Sequence, residues 1–504
     1  MSSSKQIFFK IQTNAKDFFS KESLMVLAGL CILVLGVRKL PTAPWKSLIL
    51  ILSLALFPLM LVYPLFGLSL FLSTLTFNQF MLIHHLSFPK FAGILIIGTW
   101  ILSLPLRLRE KSPFKQSFFR MSRLDTLVLF YFTACLVSIF ALTEYQKLSH
   151  FLDYSELFLF YTMFKSEIKT EKNLRAALWA LIIPGAISAA VYMVHFSMTG
   201  GKRIEGIMRL VAGTFSGINI AATSYLLIAG TAFAFICINP KRSLKHFLLL
   251  SSIFIFLIYI LFSFSRGTWG GLFVSVAAIL ILRQKNVERI LLKLALIIFS
   301  VLFLFGIIYY SGEGRYFASI HLIKKISRRA NLVLVLERFH NSHFYLQKIA
   351  LFTMIPQHPF FGIGNGNVTA RWNHYASETR GIPRWMFAME NKEKSKGFDA
   401  HSTLLNVAVQ FGIPMFFVFV GIIGMSLKNI KNAWENAEKR GDKNTAYFFK
   451  YLFATVLGFL ASSYWVPMQN SLFLIFVFGI ASITPRIFTP ENTSQTTKVA
   501  EMTA

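Results

Sequence analysis

Long apolar runs separated by short polar connections recur along this chain from residue 24 to residue 485. A helix needs about 20 apolar residues to cross the roughly 30 Å hydrocarbon core of a bilayer, and runs this frequent leave a soluble fold with more apolar surface than it can bury. The runs predict spans near 24–37, 48–62, 65–83, 91–106, 124–142, 149–164, 174–197, 214–237, 247–264, 268–282, 289–310, 403–427, 447–464 and 469–485. The expected fold class is therefore an all-α polytopic membrane protein with about 12–14 transmembrane helices. The stretch 48–83 also reads as one broken span plus a re-entrant piece at "VYPLFG", and the run 149–164 is short and carries Asp153 and Glu156.

Charge content agrees with this class. Only 14% of the 504 residues are charged, against about 25% in ordinary soluble domains. A formal charge of +29 would suggest nucleic acid in a soluble protein. Here most Lys and Arg sit in short connections, where they set topology and meet anionic membrane lipids, so no nucleic-acid partner is expected. Cys31, Cys135 and Cys237 each lie inside an apolar run, which argues against a disulfide framework or a cysteine-based zinc site. The basic, polar opening "MSSSKQIFFKIQTNAKDFFSKES" is not shaped like a cleaved signal peptide.

Sidedness follows from the excess of Lys and Arg in short cytoplasmic loops. The linker 107–123 carries six basic residues against one Glu, and counting spans onward puts the basic connections 165–175, 239–246, 283–288 and 428–446 on the same side. Three outward segments break the rule. The turn 198–213 holds Lys202, Arg203 and Arg209, the turn "SFSRGTW" holds Arg266, and a 92-residue outward loop, 311–402, has 13 Lys/Arg against 6 Asp/Glu. The expected division is a cytoplasmic segment 1–23, a transmembrane bundle 24–310, the loop 311–402 with helical pieces, C-terminal helices 403–485 and a disordered cytoplasmic tail 486–504.

The plainer reading of Arg266 is an interfacial anchor whose guanidinium meets lipid phosphate. Several cations on one face change that reading, because concentrated positive charge needs an anionic partner and the planar fork of arginine suits phosphate oxygens. His401, at the outward end of the span 403–427, titrates near neutrality and is suited to take a proton from an attacking hydroxyl. Asp399 is expected to cap the helix that follows and to orient that imidazole. "GIGNGN" (362–367) has the glycine spacing of a phosphate loop without its strand-to-helix context, so it reads as a tight turn. His340 and His343 lack carboxylate or cysteine support, and no metal is expected there. Asp153 and Glu156 are what an intramembrane proton relay would need.

The order "RIEGIMRLVAGTFSGINIAA" (203–222), "SFSRGTWGGL" (263–272), "HPFFGIGNGN" (358–367) and "DAHSTLLNVAVQFGIPM" (399–415) resembles the O-antigen ligase and polymerase superfamily of bacterial inner membranes. The four motifs span about 210 residues of the C-terminal half. The resemblance implies a glycosyltransferase that moves a glycan from undecaprenyl pyrophosphate to a lipid A-core sugar at the periplasmic face. It implies that loop 311–402 is periplasmic and that both termini are cytoplasmic. It also implies pyrophosphate contacts from Arg266 and Arg209 and a catalytic base in His401, with Ser402 standing where the family commonly has asparagine. Arg203, Arg338, Asp399, Gly362 and Gly364 complete the expected substrate-binding set, and no cofactor is expected because the donor is already activated. An O-antigen polymerase, a protein O-oligosaccharyltransferase and a lipid-linked anion transporter are the rivals.

Overall fold

The computed structural model describes residues 56–77, 81–83, 86–109, 121–144, 147–199, 202–204, 207–209, 218–236, 244–263, 265–282, 343–382, 400–469 and 471–487. The expected segment 1–23, the spans 24–37 and 289–310, Arg338, His340, Asp399 and nearly all of the expected tail lie outside these residues.

The first helices are α1 (Phe57–Val62), α2 (Pro64–Thr74) and α3 (Phe88–Arg109), followed by α4 (Arg123–Leu142), α5 (Lys147–Glu167) and α6 (Glu171–Thr199). Next come α7 (Ile218–Ile236), α8 (Leu244–Ser263) and α9 (Arg266–Ile281). The region between α9 and the C-terminal helices contributes α10 (His343–Ile349), which continues through a π-helical turn (Ala350–Met354), then α11 (Asn367–Ala370) and α12 (Trp372–Glu378). The chain closes with α13 (Thr403–Lys439), α14 (Lys443–Ser463) and α15 (Leu472–Ile487). Two short antiparallel ribbons accompany them, β1 (Met81–Ile83) with β2 (Leu86–Ser87) and β3 (Lys202–Ile204) with β4 (Ile207–Arg209). Among the described residues six helices are long and apolar enough to cross a membrane, and the class is all-α and polytopic. Large apolar side chains stay exposed along them, Phe140, Phe247 and Phe417 among others, as lipid-facing residues do.

The break inside 48–83 falls at Tyr63, which is pushed out of helical space (φ −124°, ψ 76°) by Pro64 at the first position of α2. The 149–164 run belongs to a full 21-residue helix, α5, whose Asp153 pairs with Lys90 of α3 at 3.0 Å.

One end of the bundle is tied by charge. Asp125 forms a capping box with Ser122 at the start of α4 and receives Lys165 from the end of α5 at 2.9 Å and Arg486 from the end of α15 at 3.0 Å. Nearby, Glu167 accepts from Trp100 at 3.0 Å and from Arg107. Buried charges persist only when paired and hydrogen-bonded, so these contacts gather the ends of α3, α4, α5 and α15 on one side. The C-terminal part of α13 joins them through Asn429, which donates to Ala481 O of α15 at 3.0 Å.

The interior is aromatic, with edge-to-face pairs such as Phe71–Phe160 and Phe164–Phe476, both at 5.4 Å. The tightest helix pair is α9 with α14. Gly267, Gly271 and Ser275 recur every fourth residue on α9 and meet Gly458 and Ser462 of α14. A Cβ at Gly271 would lie 2.4 Å from Gly458 O, so the two backbones touch directly. Small residues at this spacing let helices approach where no hydrophobic effect drives them together.

Candidate active site at the loop-bearing end

Opposite the charged end lie the end of α4, the ribbon β3–β4, the α8–α9 and α14–α15 turns, the segments 343–382 and 400–402, and the start of α13. Six of the expected site residues are on described backbone, all outside the spans' interiors. Arg203 and Arg209 stand on the two strands of the ribbon, Arg203 opposite Met208 and Arg209 opposite Lys202. Arg266 is the first residue of α9. Gly362 and Gly364 lie in the segment before α11, and His401 lies two residues before α13.

The start of α9 is fixed by hydroxyls. Ser265, its N-cap residue, makes no side-chain cap and instead accepts from Thr268 Oγ1 at 2.9 Å. Thr268 Oγ1 lies 3.1 Å from Thr223 Oγ1, which lies 2.7 Å from Ser462 Oγ, and all are buried. This chain of hydroxyls joins α7, α9 and α14 at one level. A helix N-terminus without a side-chain cap leaves partial positive charge on its free N–H groups, an arrangement suited to an anion.

His401 has φ 46°, the left-handed region, and among the described residues it is the one non-glycine residue with positive φ. That conformation costs about 1–2 kcal/mol for a residue with a Cβ, and its neighbours hold it there. Ala400 N donates to Asn406 Oδ1 at 2.7 Å, and Thr403 Oγ1 donates to Val466 O at 2.7 Å while accepting from Met468 N at 2.8 Å. Ser402 is the N-cap, its hydroxyl accepting from Leu405 N. The expectation that Asp399 caps this helix is corrected: the serine three residues later does so, because its hydroxyl reaches the first free N–H groups of the turn it begins.

The turn 464–468 joins these two segments. Trp465 abuts Gly267, whose added Cβ would be 2.9 Å from Trp465 Cβ, and the next residue, Val466, holds Thr403. The "SRG" and "AHS" segments thus flank a single turn.

The "HPFFGIGNGN" segment docks on α13 where that helix breaks. Gly412 has φ 87° and ψ 170°, and beside it Ile413 N donates to Pro359 O at 2.7 Å, Ile363 N to Val409 O at 2.8 Å and Gly364 N to Gln410 O at 3.1 Å. A Cβ at Gly362 would meet Gln410 O at 2.5 Å, and one at Gly364 would meet Leu142 C at 3.0 Å. Both glycines, with φ 69° and 85°, are needed for close backbone approach, in keeping with a tight turn. Asn367 completes the joint: its amide donates to Leu142 O and Ile363 O, each at 2.7 Å, and its Oδ1 accepts from Glu144 N at 3.0 Å.

Further out, Arg371 pairs with Glu144, and His358 Nε2 lies 3.1 Å from Tyr375 Oη. Burial, reinforced by Arg371, holds His358 below the ordinary histidine range. Asn365, Asn406, Gln410, Gln469 and Thr143 are buried, and each keeps a polar side-chain atom with no protein partner among the described residues. Such atoms cost about 1–3 kcal/mol each, so this end holds hydrogen-bonding capacity for water or a hydroxyl-rich ligand.

The structure brings Arg266, Gly362, Gly364 and His401 into one interlocked set of turns and places Arg203 and Arg209 on a ribbon at the end of α6. Sequence reasoning missed Asn367, Asn406 and the Thr223–Thr268–Ser462 chain. The fourth-residue recurrence of Gly267, Gly271 and Ser275 was the readable signal for the last of these, since it marks the face of α9 that α14 covers. Among the described residues, no group of three or more metal-ligating side chains is present.

Residues 250–420 match the family model described as O-antigen ligase. The matched region runs from α8 to the middle of α13 and supports a likeness to the O-antigen ligase and polymerase superfamily. It takes in Arg266, Gly362, Gly364 and His401 and leaves Arg203 and Arg209 outside. No curated protein matches the chain.

Proposed function

We propose that this protein is an O-antigen ligase, transferring a glycan from undecaprenyl pyrophosphate to a sugar hydroxyl of lipid A-core at the periplasmic face of the inner membrane. The acceptor oxygen attacks the anomeric carbon of the glycan. The bond from that carbon to the pyrophosphate oxygen breaks, and the pyrophosphate departs with the electron pair. His401 takes the proton of the attacking hydroxyl, and Arg266 and Arg209 offset the charge that grows on the leaving group. Near an effective dielectric of 20, a charge pair at 4 Å contributes on the order of 4 kcal/mol before desolvation, enough to matter for a leaving group.

The observation that carries this reading is the turn 464–468, which holds the Arg266 and His401 segments side by side although 135 residues of sequence separate them. Arg203, Arg338 and Asp399 would bind the donor or acceptor around that pair. Gly362 and Gly364 would contribute through the backbone they shape. In this reading 311–402 is the periplasmic loop and the termini are cytoplasmic.

The test is transfer in detergent with purified lipid-linked donor and lipid A-core. His401→Ala should abolish transfer while the melting temperature stays near wild type, since the side chain is not part of the core; normal transfer would remove His401 as base. Lipopolysaccharide gels of a deletion strain separate the rivals. Loss of all O-antigen attachment means ligase, capping by a single repeat means polymerase, and unchanged lipopolysaccharide points to a protein acceptor or to transport.

A further inference from the structure

The segment 349–364, "IALFTMIPQHPFFGIG", contains no Lys, Arg, Asp or Glu. Its inward residues Ile349, Ala350, Met354 and Ile363 form a small core with Val409 of α13. Its outward residues are also apolar: Leu351 is 48% exposed, Phe352 71%, Phe360 70% and Phe361 76%. Apart from the exposed Gln357, whose amide donates to Glu378 Oε2, the segment is apolar on both faces and has little surface suited to water. The following residues reverse the pattern, with Arg371, His374, Glu378 and Arg380 all within α12 or beside it.

Depth is set by the backbone. The hydrogen bonds from Ile363 to Val409, from Gly364 to Gln410 and from Ile413 to Pro359 fix the segment beside the Gly412 break, seven to eleven residues into α13 by sequence. Immediately after that break begins the apolar stretch whose Ile413, Phe417 and Val420 are exposed in the manner of lipid-facing residues. Phe360 and Phe361 therefore flank the place where α13 enters hydrocarbon. Irregular backbone is tolerated at that depth where its polar groups are satisfied by protein, as these three bonds do.

We propose that residues 349–364 form a finger that dips into the membrane, with Leu351, Phe352, Phe360 and Phe361 immersed among the acyl chains of the leaflet on the loop side. The partner is the lipid bilayer itself. The finger anchors the loop at headgroup level, the level at which a lipid-linked donor would present its phosphates. That consequence rests on the transferase reading, whereas the immersion does not.

The experiment places a single cysteine at Phe361 in the full-length chain, with Cys31, Cys135 and Cys237 replaced by alanine. The cysteine is labelled with an environment-sensitive fluorophore, and the protein is reconstituted into phosphatidylethanolamine and phosphatidylglycerol vesicles. Ser377→Cys, exposed on the charged side, is the reference. The label at 361 should emit at shorter wavelength than the label at 377, lose most of its intensity to acyl-brominated lipid and resist aqueous iodide. Iodide quenching equal to that at 377 would overturn the proposal, and so would protection from both quenchers, the mark of a protein cover. Phe352→Cys gives the same reading should the label at 361 disturb folding. Neither outcome depends on turnover, so failure here and failure of the transferase reading are separate results.

Discussion

Replacing Gly412 by alanine tests whether the loop and α13 are one unit. The position has φ 87° and ψ 170°, a region essentially confined to glycine, and a Cβ there would stand 2.2 Å from Phe360 O and 2.8 Å from Phe361 N. Strain alone costs about 1–3 kcal/mol. The overlap is with backbone atoms, which cannot swing aside as a flexible side chain would, so relief requires the segment 359–364 to lift. Lifting sacrifices three backbone hydrogen bonds worth roughly 0.5–1.5 kcal/mol each. The three bonds together set the outcome at about 1.5–4.5 kcal/mol, or roughly a 10- to 1,000-fold rise in local opening at about 1.4 kcal/mol per decade. Hydrogen exchange measured on peptides covering 359–364 and 409–413 reads this directly. Gly424→Ala, on the same helix with nothing within 4 Å of an added Cβ, is the control and should leave exchange unchanged. Unaltered protection in Gly412→Ala would refute the docking described here.

Arg266→Lys keeps the charge and loses the fork, so transfer should fall roughly 10- to 100-fold from the loss of about 1.5–3 kcal/mol of charged hydrogen bonding; wild-type rates in the purified assay would favour a lipid anchor instead. Asp125→Asn strands Lys165 and Arg486, both largely buried, and should cost about 3–5 kcal/mol; an unchanged melting temperature in detergent would show that water reaches this network. His358 is held below the ordinary histidine range, so its neutral form suits the docked loop. The stability it adds is complete above about pH 6.5 and is lost as pH falls through the lowered value. Exchange at 358–364 should therefore rise on acidification, and should not do so in His358→Gln.

The spans were readable wherever hydropathy alone decides. The expected run 124–142 is α4 within a residue, and 268–282 is α9 within two. Reading failed where another force took over. The expected end of the 403–427 span misses the last twelve residues of α13, because hydropathy stops there while an amphipathic pattern continues: Ile430, Ala433 and Ala437 are buried, and Lys431 pairs with Glu435 at 3.4 Å. The turn 198–213 gave no sign of the β3–β4 ribbon, since "KRI" and "IMR" are too short to show alternation. That His401 and Arg266 share one end of the bundle was legible by counting spans, but their common attachment to 464–468 was not. Val466 is held through its carbonyl oxygen, and carbonyls leave no trace in residue identity.

The direct backbone contact of α9 with α14 has a mechanical consequence. The first residue of α9 and the turn that holds Thr403 are parts of the same stiff pair, so breathing of the lipid-facing helices would leave the spacing of the "SRG" and "AHS" segments unaltered. A change in what the protein accepts would then have to be written into the neighbouring stretch 367–381, which is built from short helices instead of spans.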